Sequence, residues 1–421
     1  MGMTISEKII ARAARADRVK AGDIVWADVD VAMMDDILGP RVEIADRMVE
    51  LQAKVWDPSK VVIISDHYTP PANSTQAGIV KFTRDWAKKH AIDKYYEFIG
   101  PCHQIMVEEG HALPGQVVMA TDSHTCMYGA LGAFASGVGS TEMVGILTTG
   151  QIWLRVPETI LVEWSGSLPD GVMAKDISLA TIGKIGHAGA TYKAVEYVGS
   201  GIAALCMDER FAITNMAVEM GAKAGLMNTD QVTRDFLRSI GRETSFQPLS
   251  SDKDADFVQR LSFDAGKLAP QLACPHEVDN VAPIPDAKKG IHIDQAYLGS
   301  CTGGRYTDLV QAARLLKGKK VMKGRRLLVS PSSKSIWERA AKDGILGTLS
   351  EAGAMVMGPT CGVCVGLHSG ALADGEVCIS STNRNFIGRM GSKKAEIYLG
   401  SPLTVAAAAV AGEIVDPREL L

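Results

Sequence analysis

Cys301 stands alone in Gly299-Ser300-Cys301-Thr302-Gly303-Gly304, and Cys361 and Cys364 follow as a Cys-Gly-Val-Cys pair. Three thiolates gathered by folding can hold three corners of an iron-sulfur cluster. If no fourth cysteine arrives, one iron keeps an open position, and the cluster acts as a Lewis acid instead of an electron carrier. A single Cys-x-x-Cys also occurs in redox motifs and zinc knuckles, and a zinc site would want a fourth nitrogen or sulfur ligand. Gly299, Gly303, Gly304 and Gly362 sit where a backbone must come close to an inorganic group and turn its amides toward it.

The next chemistry-bearing residues are carboxylates placed beside imidazoles. Asp66-His67 and Asp122-Ser123-His124 each bring an acid near a histidine, which fixes the ring tautomer and raises its proton affinity. His103 follows Cys102 as a further candidate, although a lone histidine also serves as a partner of nearby backbone. Asn215 and Glu219, four apart, would share one face of a helix, with a salt-bridged helix surface as the plainer alternative. The segment Ser381-Thr382-Asn383-Arg384-Asn385-Phe386-Ile387-Gly388-Arg389 concentrates amides and two guanidinium forks. Such forks match carboxylates bidentately, so Arg384 and Arg389 are the candidate hands for an anionic substrate.

Short β-branched runs alternate with longer stretches of helical period, which predicts α/β layers with largely parallel sheet. Strands are expected at 61–64, 117–120, 296–298, 327–329, 355–357 and 377–380, and helices at 74–90, 207–224, 307–316 and 334–343. The polar motifs follow directly on five of those strands, where open α/β sheets bind their ligands. One shared cleft is therefore expected. Breaks in pattern near 157 and at the proline-rich 281–286 divide the chain into expected units 1–157, 158–285 and 286–421.

With 421 residues, 46% hydrophobic and 22% charged, the chain has the balance of a water-soluble globular protein. A net charge of -4 supplies no basic field for nucleic acid or an anionic membrane, so neither is expected as a partner. The N-terminus has no apolar signal region and the apolar stretch 403–415 is short and rich in alanine, so a cytoplasmic protein is expected. Eight cysteines are too few for a disulfide scaffold. Cys102, Cys126, Cys206, Cys274 and Cys378 are read as packing residues.

Taken together, Asp66-His67, Cys102-His103-Gln104, Asp122-Ser123-His124-Thr125, Asn215 to Glu219, Gly299-Ser300-Cys301-Thr302, Cys361 to Cys364 and Asn383 to Arg389 resemble, in order, the motifs of the aconitase superfamily. Within it, the series is similar to the large subunits of 3-isopropylmalate dehydratase and homoaconitase. The resemblance implies three α/β/α domains around one [4Fe-4S] cluster per subunit, held by Cys301, Cys361 and Cys364 with one iron free of cysteine. It implies reversible dehydration of a hydroxy di- or tricarboxylic acid. His67, backed by Asp66, would protonate the departing hydroxyl, and the pairs His103 with Glu219 and His124 with Asp122 would hold the water or hydroxyl. Asn215 and Asn383 would support the cluster, the water or neighbouring polar groups, within a substrate-binding set that includes Arg384 and Arg389.

The family's swivelling fourth domain, with its serine base, would come from a separate small subunit. The chain departs from the family pattern at residues 35–40, 68–69, 303, 360 and 363, which leaves other substrates open: 2,3-dimethylmalate, citramalate or maleate. Glycine at 303 is expected to loosen the cluster surroundings. A reading from another class is a non-catalytic iron-responsive binding protein or regulatory subunit.

Overall fold

Val61, Val62, Ile63 and Ile64 are all buried, so the run reads as a strand covered on both faces, the usual state of a parallel sheet. In the computed structural model, which describes residues 2–286 and 290–421, this strand, Val61–Ser65, lies inside a five-stranded parallel sheet. The order is Tyr95–Glu97, Val61–Ser65, Val31–Asp35, Val117–Ala120 and Phe134–Gly137. Each buried Val or Ile stabilises this sheet by about 1.5–3 kcal/mol relative to exposure.

A second parallel sheet of four strands is ordered Ala224–Met227, Ala194–Val198, Thr159–Ser165 and Gln259–Asp264. The third sheet has a parallel centre, Glu396–Leu399, Val377–Ser380, Gln295–Leu298, Arg326–Val329 and Met355–Val356. At its edge Gln271–Ala273 and Val281–Pro283 run antiparallel. An antiparallel ribbon, Ile24–Asp28 with Gln151–Arg155, completes the strands. The expected strands at 61–64, 117–120, 296–298, 327–329 and 377–380 therefore lie within observed ones, and that at 355–357 is one residue shorter.

Helices cover the sheets where sequence punctuation permits. Asn73 caps Ser74–Lys89 by accepting from Gln76 N at 3.0 Å, and Ser333 caps Lys334–Lys342 from Ile336 N at 3.1 Å. The alanine-rich 403–415 stretch forms the buried helix Pro402–Ala411, started by Ser401 and proline and stopped at Gly412 with φ +75°. No helix among the described residues is long and apolar enough to cross a membrane.

One expectation fails instructively. The helix expected over 207–224 ends at Asn215, turns through the 3₁₀ segment Met216–Met220, and reaches a strand at Ala224. Gly221, at φ +81°, ends the turn, and tight packing of Gly225 against Ala217 leaves no room for a continued helix. As for the units, strands at 271–283 belong to the third sheet, so we propose a second boundary between Asp264 and Gln271 in place of 285.

Candidate active site

The ends of the first and third sheets face one another, and Cys361 N donates to Asp66 O across the seam at 3.2 Å. A narrow chamber there is lined by His67, His103, Asp122, His124 and the three cysteines of the motif. It opens into a cavity of about 720 Å³, and His67, Asp122, Val365 and Arg389 line both spaces.

His67 follows the Val61–Ser65 strand and is held through one nitrogen. Asp66 Oδ1 lies 2.8 Å from His67 Nδ1, while Asp66 Oδ2 accepts from Cys102 N at 2.6 Å. Asp36 accepts from His67 N at 3.0 Å and Tyr68 N at 3.1 Å. Burial disfavours the imidazolium, but Asp66 and Asp36 outweigh it and hold the His67 pKa well above its ordinary value. Asp66 itself is held low by that imidazole against the opposing effect of burial.

The other two histidines pair differently from the expectation. His103 Nε2 lies 2.7 Å from Asp122 Oδ1, and its Nδ1 meets Tyr128 OH at 3.0 Å. His124 Nε2 lies 2.9 Å from Glu219 Oε1, with Asp122 Oδ1 at 3.3 Å from its Nδ1. Thus Asp122 faces both rings, as expected for His124, and the expected His103–Glu219 pair gives way to Glu219 with His124. The reason is the shortened helix: the 3₁₀ turn carries Glu219 to His124 instead of leaving it on a helix face with Asn215. Both Asn215 and Glu219 are buried, which removes the surface salt-bridge alternative.

Arg384 donates from Nε to both Glu219 oxygens, at 2.9 and 3.1 Å, and from a terminal nitrogen to Ser123 Oγ at 3.0 Å. Arg389 Nε donates to Cys364 O at 3.0 Å. Burial opposes the charges on Asp122 and Glu219. The facing His103 holds Asp122 well below the ordinary carboxylate range, and His124 with Arg384 holds Glu219 low.

The thiol side is built from amides. Asn215 Nδ2 and Asn383 Nδ2 donate to Cys301 Sγ at 3.2 and 3.4 Å, so both asparagines serve Cys301 and not the wider cavity. Asn383 Oδ1 accepts from Thr302 Oγ1, whereas the buried Asn215 Oδ1 has no partner. Cys301, Cys361 and Cys364 are buried and free of disulfide. Burial pushes the Cys301 thiol up to about 11 and Cys361 well above the ordinary range. The three thiols line one chamber, and two side-chain amides donate to the Cys301 sulfur, so the residues fit a thiolate-bound cluster.

Gly303 does not loosen this region. A Cβ there would lie 2.4 Å from Ser381 Cβ and Oγ. Ser381 Oγ accepts from Gly299 N at 2.9 Å and lies 3.1 Å from Gly299 O, closing the space. Gly362 is equally constrained, because a Cβ would lie 1.9 Å from His368 Nε2. Of the remaining cysteines, Cys102, Cys126 and Cys378 are packed inside as expected, Cys274 is half-buried, and Cys206 is exposed.

Sequence reasoning missed Tyr128, Asp36 as a partner of His67, and Lys175. Lys175 lies buried beneath the thiol loops, its Nζ donating to Ser381 O at 2.6 Å, and burial brings its pKa down to about 8. Nothing around Lys175 in the sequence marks it. Tyr128 carried a weak signal, four residues after His124.

A profile of the aconitase family (aconitate hydratase) matches residues 16–412. The "3-isopropylmalate dehydratase large subunit 1" of Methanopyrus kandleri is 46% identical over 423 residues, covering 100% of both chains. The "Probable methanogen homoaconitase large subunit" of Methanosarcina mazei is 47% identical over 395 residues, covering 94% of this chain and 100% of its own. Among solved structures, the holo-form of Thermococcus kodakaraensis aconitase X aligns with a TM-score of 0.50 at 11% identity, covering 86% of this chain and 84% of that one, which speaks to fold alone. With the motif series, the paired chamber and a profile spanning nearly the whole chain in agreement, this protein belongs to the aconitase family.

Proposed function

We propose that this chain is the large, catalytic subunit of a [4Fe-4S]-dependent hydro-lyase that reversibly dehydrates a hydroxy di- or tricarboxylic acid, of the 3-isopropylmalate dehydratase and homoaconitase kind. The observation that carries the reading is the single chamber shared by three buried thiols and three carboxylate-paired histidines. Cys301, Cys361 and Cys364 would hold the cluster, which supplies a Lewis-acid iron when bound.

The chain's own residues supply the rest. His67, with Nδ1 fixed by Asp66, keeps Nε2 for delivering a proton to the departing hydroxyl. Asp122 and Glu219 hold His103 and His124 in fixed orientation at the chamber wall, and a ring that binds the released water would exchange one of these contacts for it. Arg389, on the neck, and Arg384, beside Ser123, orient the substrate carboxylates. Its relatives are named as large subunits, which implies a separate small subunit; that subunit would carry the swivelling domain and the base.

The test is anaerobic reconstitution with iron and sulfide in the presence of the small subunit, followed by a panel of hydroxydiacids. Alkene absorbance is the expected outcome. No turnover across the panel would sink the hydro-lyase reading and leave a binding or regulatory role.

A further inference from the structure

Arg210 and Arg305 are both fully buried, and the fold treats their guanidinium groups in opposite ways. The two terminal nitrogens of Arg210 donate to Asp230 at 2.8 and 2.7 Å, and Leu205 O and Ala203 O accept from the same group at 3.1 and 2.9 Å. Arg305 finds no such acid. Its Nε donates to Gln104 Oε1 at 3.1 Å, one terminal nitrogen lies 3.0 Å from Met127 Sδ, and the guanidinium carbon lies 5.5 Å from the Phe211 ring centre. The other terminal nitrogen is buried without a partner, and among the described residues no carboxylate forms an ion pair with Arg305. Asp308 is occupied with the backbone, accepting from Arg305 N at 3.0 Å, and burial pushes its carboxyl up to about 7. A buried cation without an opposite charge is costly, so a partner charge from outside the polypeptide is expected.

The place of Arg305 in the chain shows where that charge belongs. Arg305 follows Cys301 by one short helix, Ser300–Gly303, and opens the helix Tyr306–Leu316 as its N-cap. Burial disfavours the Cys301 thiolate, while the Asn383 amide and the Arg305 charge favour it. Lys175, the other buried cation beneath the thiol loops, is already taken by the carbonyls of Ser381 and Thr382. Arg305 lines neither the chamber nor the large cavity, so it is not placed to grip a substrate carboxylate. Three thiolates around an iron-sulfur cubane carry a net negative charge, and net charge is one of the quantities that set a cluster's reduction potential.

We propose that Arg305 is the resident counter-charge of the cluster: an unpaired guanidinium held beside Cys301 that offsets the negative charge of the thiolates once they form, and so aids retention of the cluster and raises its reduction potential. This rests on the reading of Cys301, Cys361 and Cys364 as cluster ligands and adds the cation that answers them. Asn215 and Asn383 orient the Cys301 sulfur through hydrogen bonds, whereas Arg305 acts through its charge. It is a positioning residue, since nothing places it against substrate.

The experiment compares Arg305→Met, which keeps the bulk and removes the charge, with Arg305→Lys, which keeps the charge and loses the fork. Each is reconstituted anaerobically with iron and sulfide in the complex with its small subunit. The readouts are iron and sulfide content, the rate of iron loss to a chelator, and the midpoint potential of the cluster followed by electron paramagnetic resonance. Arg305→Met should lose iron about 10-fold faster and shift the one-electron reduction equilibrium by about 10-fold, which is about 59 mV to the negative side. Arg305→Lys should retain most of both properties. The cluster-free chain should respond in the other sense: Arg305→Met replaces an unpaired buried charge with hydrocarbon, so its urea midpoint should hold or rise. A potential and an iron-loss rate unmoved in Arg305→Met, or moved as far in Arg305→Lys, would overturn the proposal. So would a cluster-free Arg305→Met chain that loses stability or fails to fold, because Arg305 would then be a packing residue. If the unaltered complex takes up no iron and sulfide, the cluster reading fails first; if it takes them up and Arg305→Met matches it, this proposal fails alone.

Discussion

The two sides of the chamber are built at the same kind of place, the carboxyl ends of parallel strands, yet they are balanced in opposite ways. On the histidine side every charge has an opposite neighbour: His67 with Asp66, His103 with Asp122, His124 with Glu219, and Glu219 again with Arg384. On the thiol side the partners of Cys301 Sγ are neutral amides from Asn215 and Asn383, and Lys175, buried beneath the loops, is spent on backbone carbonyls. Burial of paired charges is tolerable, whereas burial of a lone thiolate is not. The histidine side is therefore complete as folded, whereas the thiol side is the one that a bound cluster would complete.

That contrast predicts that the two sides can be broken separately, and this is the largest effect expected. Cys301→Ser should abolish retention of iron and sulfide and lower turnover by at least about 10³-fold, while the unfolding free energy of the cluster-free chain shifts by only about 1 kcal/mol. His67→Gln should do the reverse, cutting kcat by roughly 10²–10⁴-fold with iron and sulfide content unchanged. Metal analysis and denaturant titration on both variants decide the matter. Iron loss in His67→Gln, or full retention in Cys301→Ser, would merge two sides that the geometry separates.

A smaller effect should come from Glu219→Gln, which takes the carboxylate from between His124 and Arg384. Removing one partner of a buried ion pair costs about 3–5 kcal/mol, read as a fall in urea midpoint of the cluster-free chain. The pH dependence has a definite sign. Glu219 and Asp122 have lowered folded pKa values, so their contribution is present above the unfolded carboxylate range and is lost as pH falls through the folded values. His67 has a raised folded pKa, so its contribution is full below the ordinary imidazole value and is lost as pH rises through the folded one. Glu219→Gln should flatten the acid limb alone, and His67→Gln the alkaline limb together with the share of the acid limb that Asp66 contributes. A variant that lowered stability equally at all pH values would show packing, not charge, to be at stake.

Much of this was legible in the sequence because strand burial and motif position coincide. The run at 61–64 is apolar throughout and is followed at once by Asp66-His67, so both the strand and its chemistry could be read from adjacent letters. The pairing of His124 with Glu219 could not. It depends on where the helix after Met207 stops, and helical propensity carries through Met216 to Met220 even though tertiary packing turns the chain there. Lys175 was invisible for a related reason: its partners are carbonyls of Ser381 and Thr382, more than two hundred residues away. Gly303 looked like a loss when judged against neighbouring letters, because the side chain that fills its space comes from Ser381.

That exchange offers the smallest and most local test of the contrast. Gly303 lies in the short helix Ser300–Gly303, outside the left-handed region, so alanine there meets no backbone penalty and the whole effect is steric. A Cβ 2.4 Å from Ser381 Cβ and 2.8 Å from Ser381 O must push two loops of the thiol side apart, at a cost of about 1–3 kcal/mol. Gly303→Ala is expected to weaken iron and sulfide retention while leaving the pH limbs set by His67 and Glu219 in place. Ser381→Gly in the same chain removes the clashing side chain and should return part of the lost stability, although it also forfeits the bond from Gly299 N. A double variant no better than Gly303→Ala alone would mean that the backbone of Ser381, and not its side chain, sets the limit at 303.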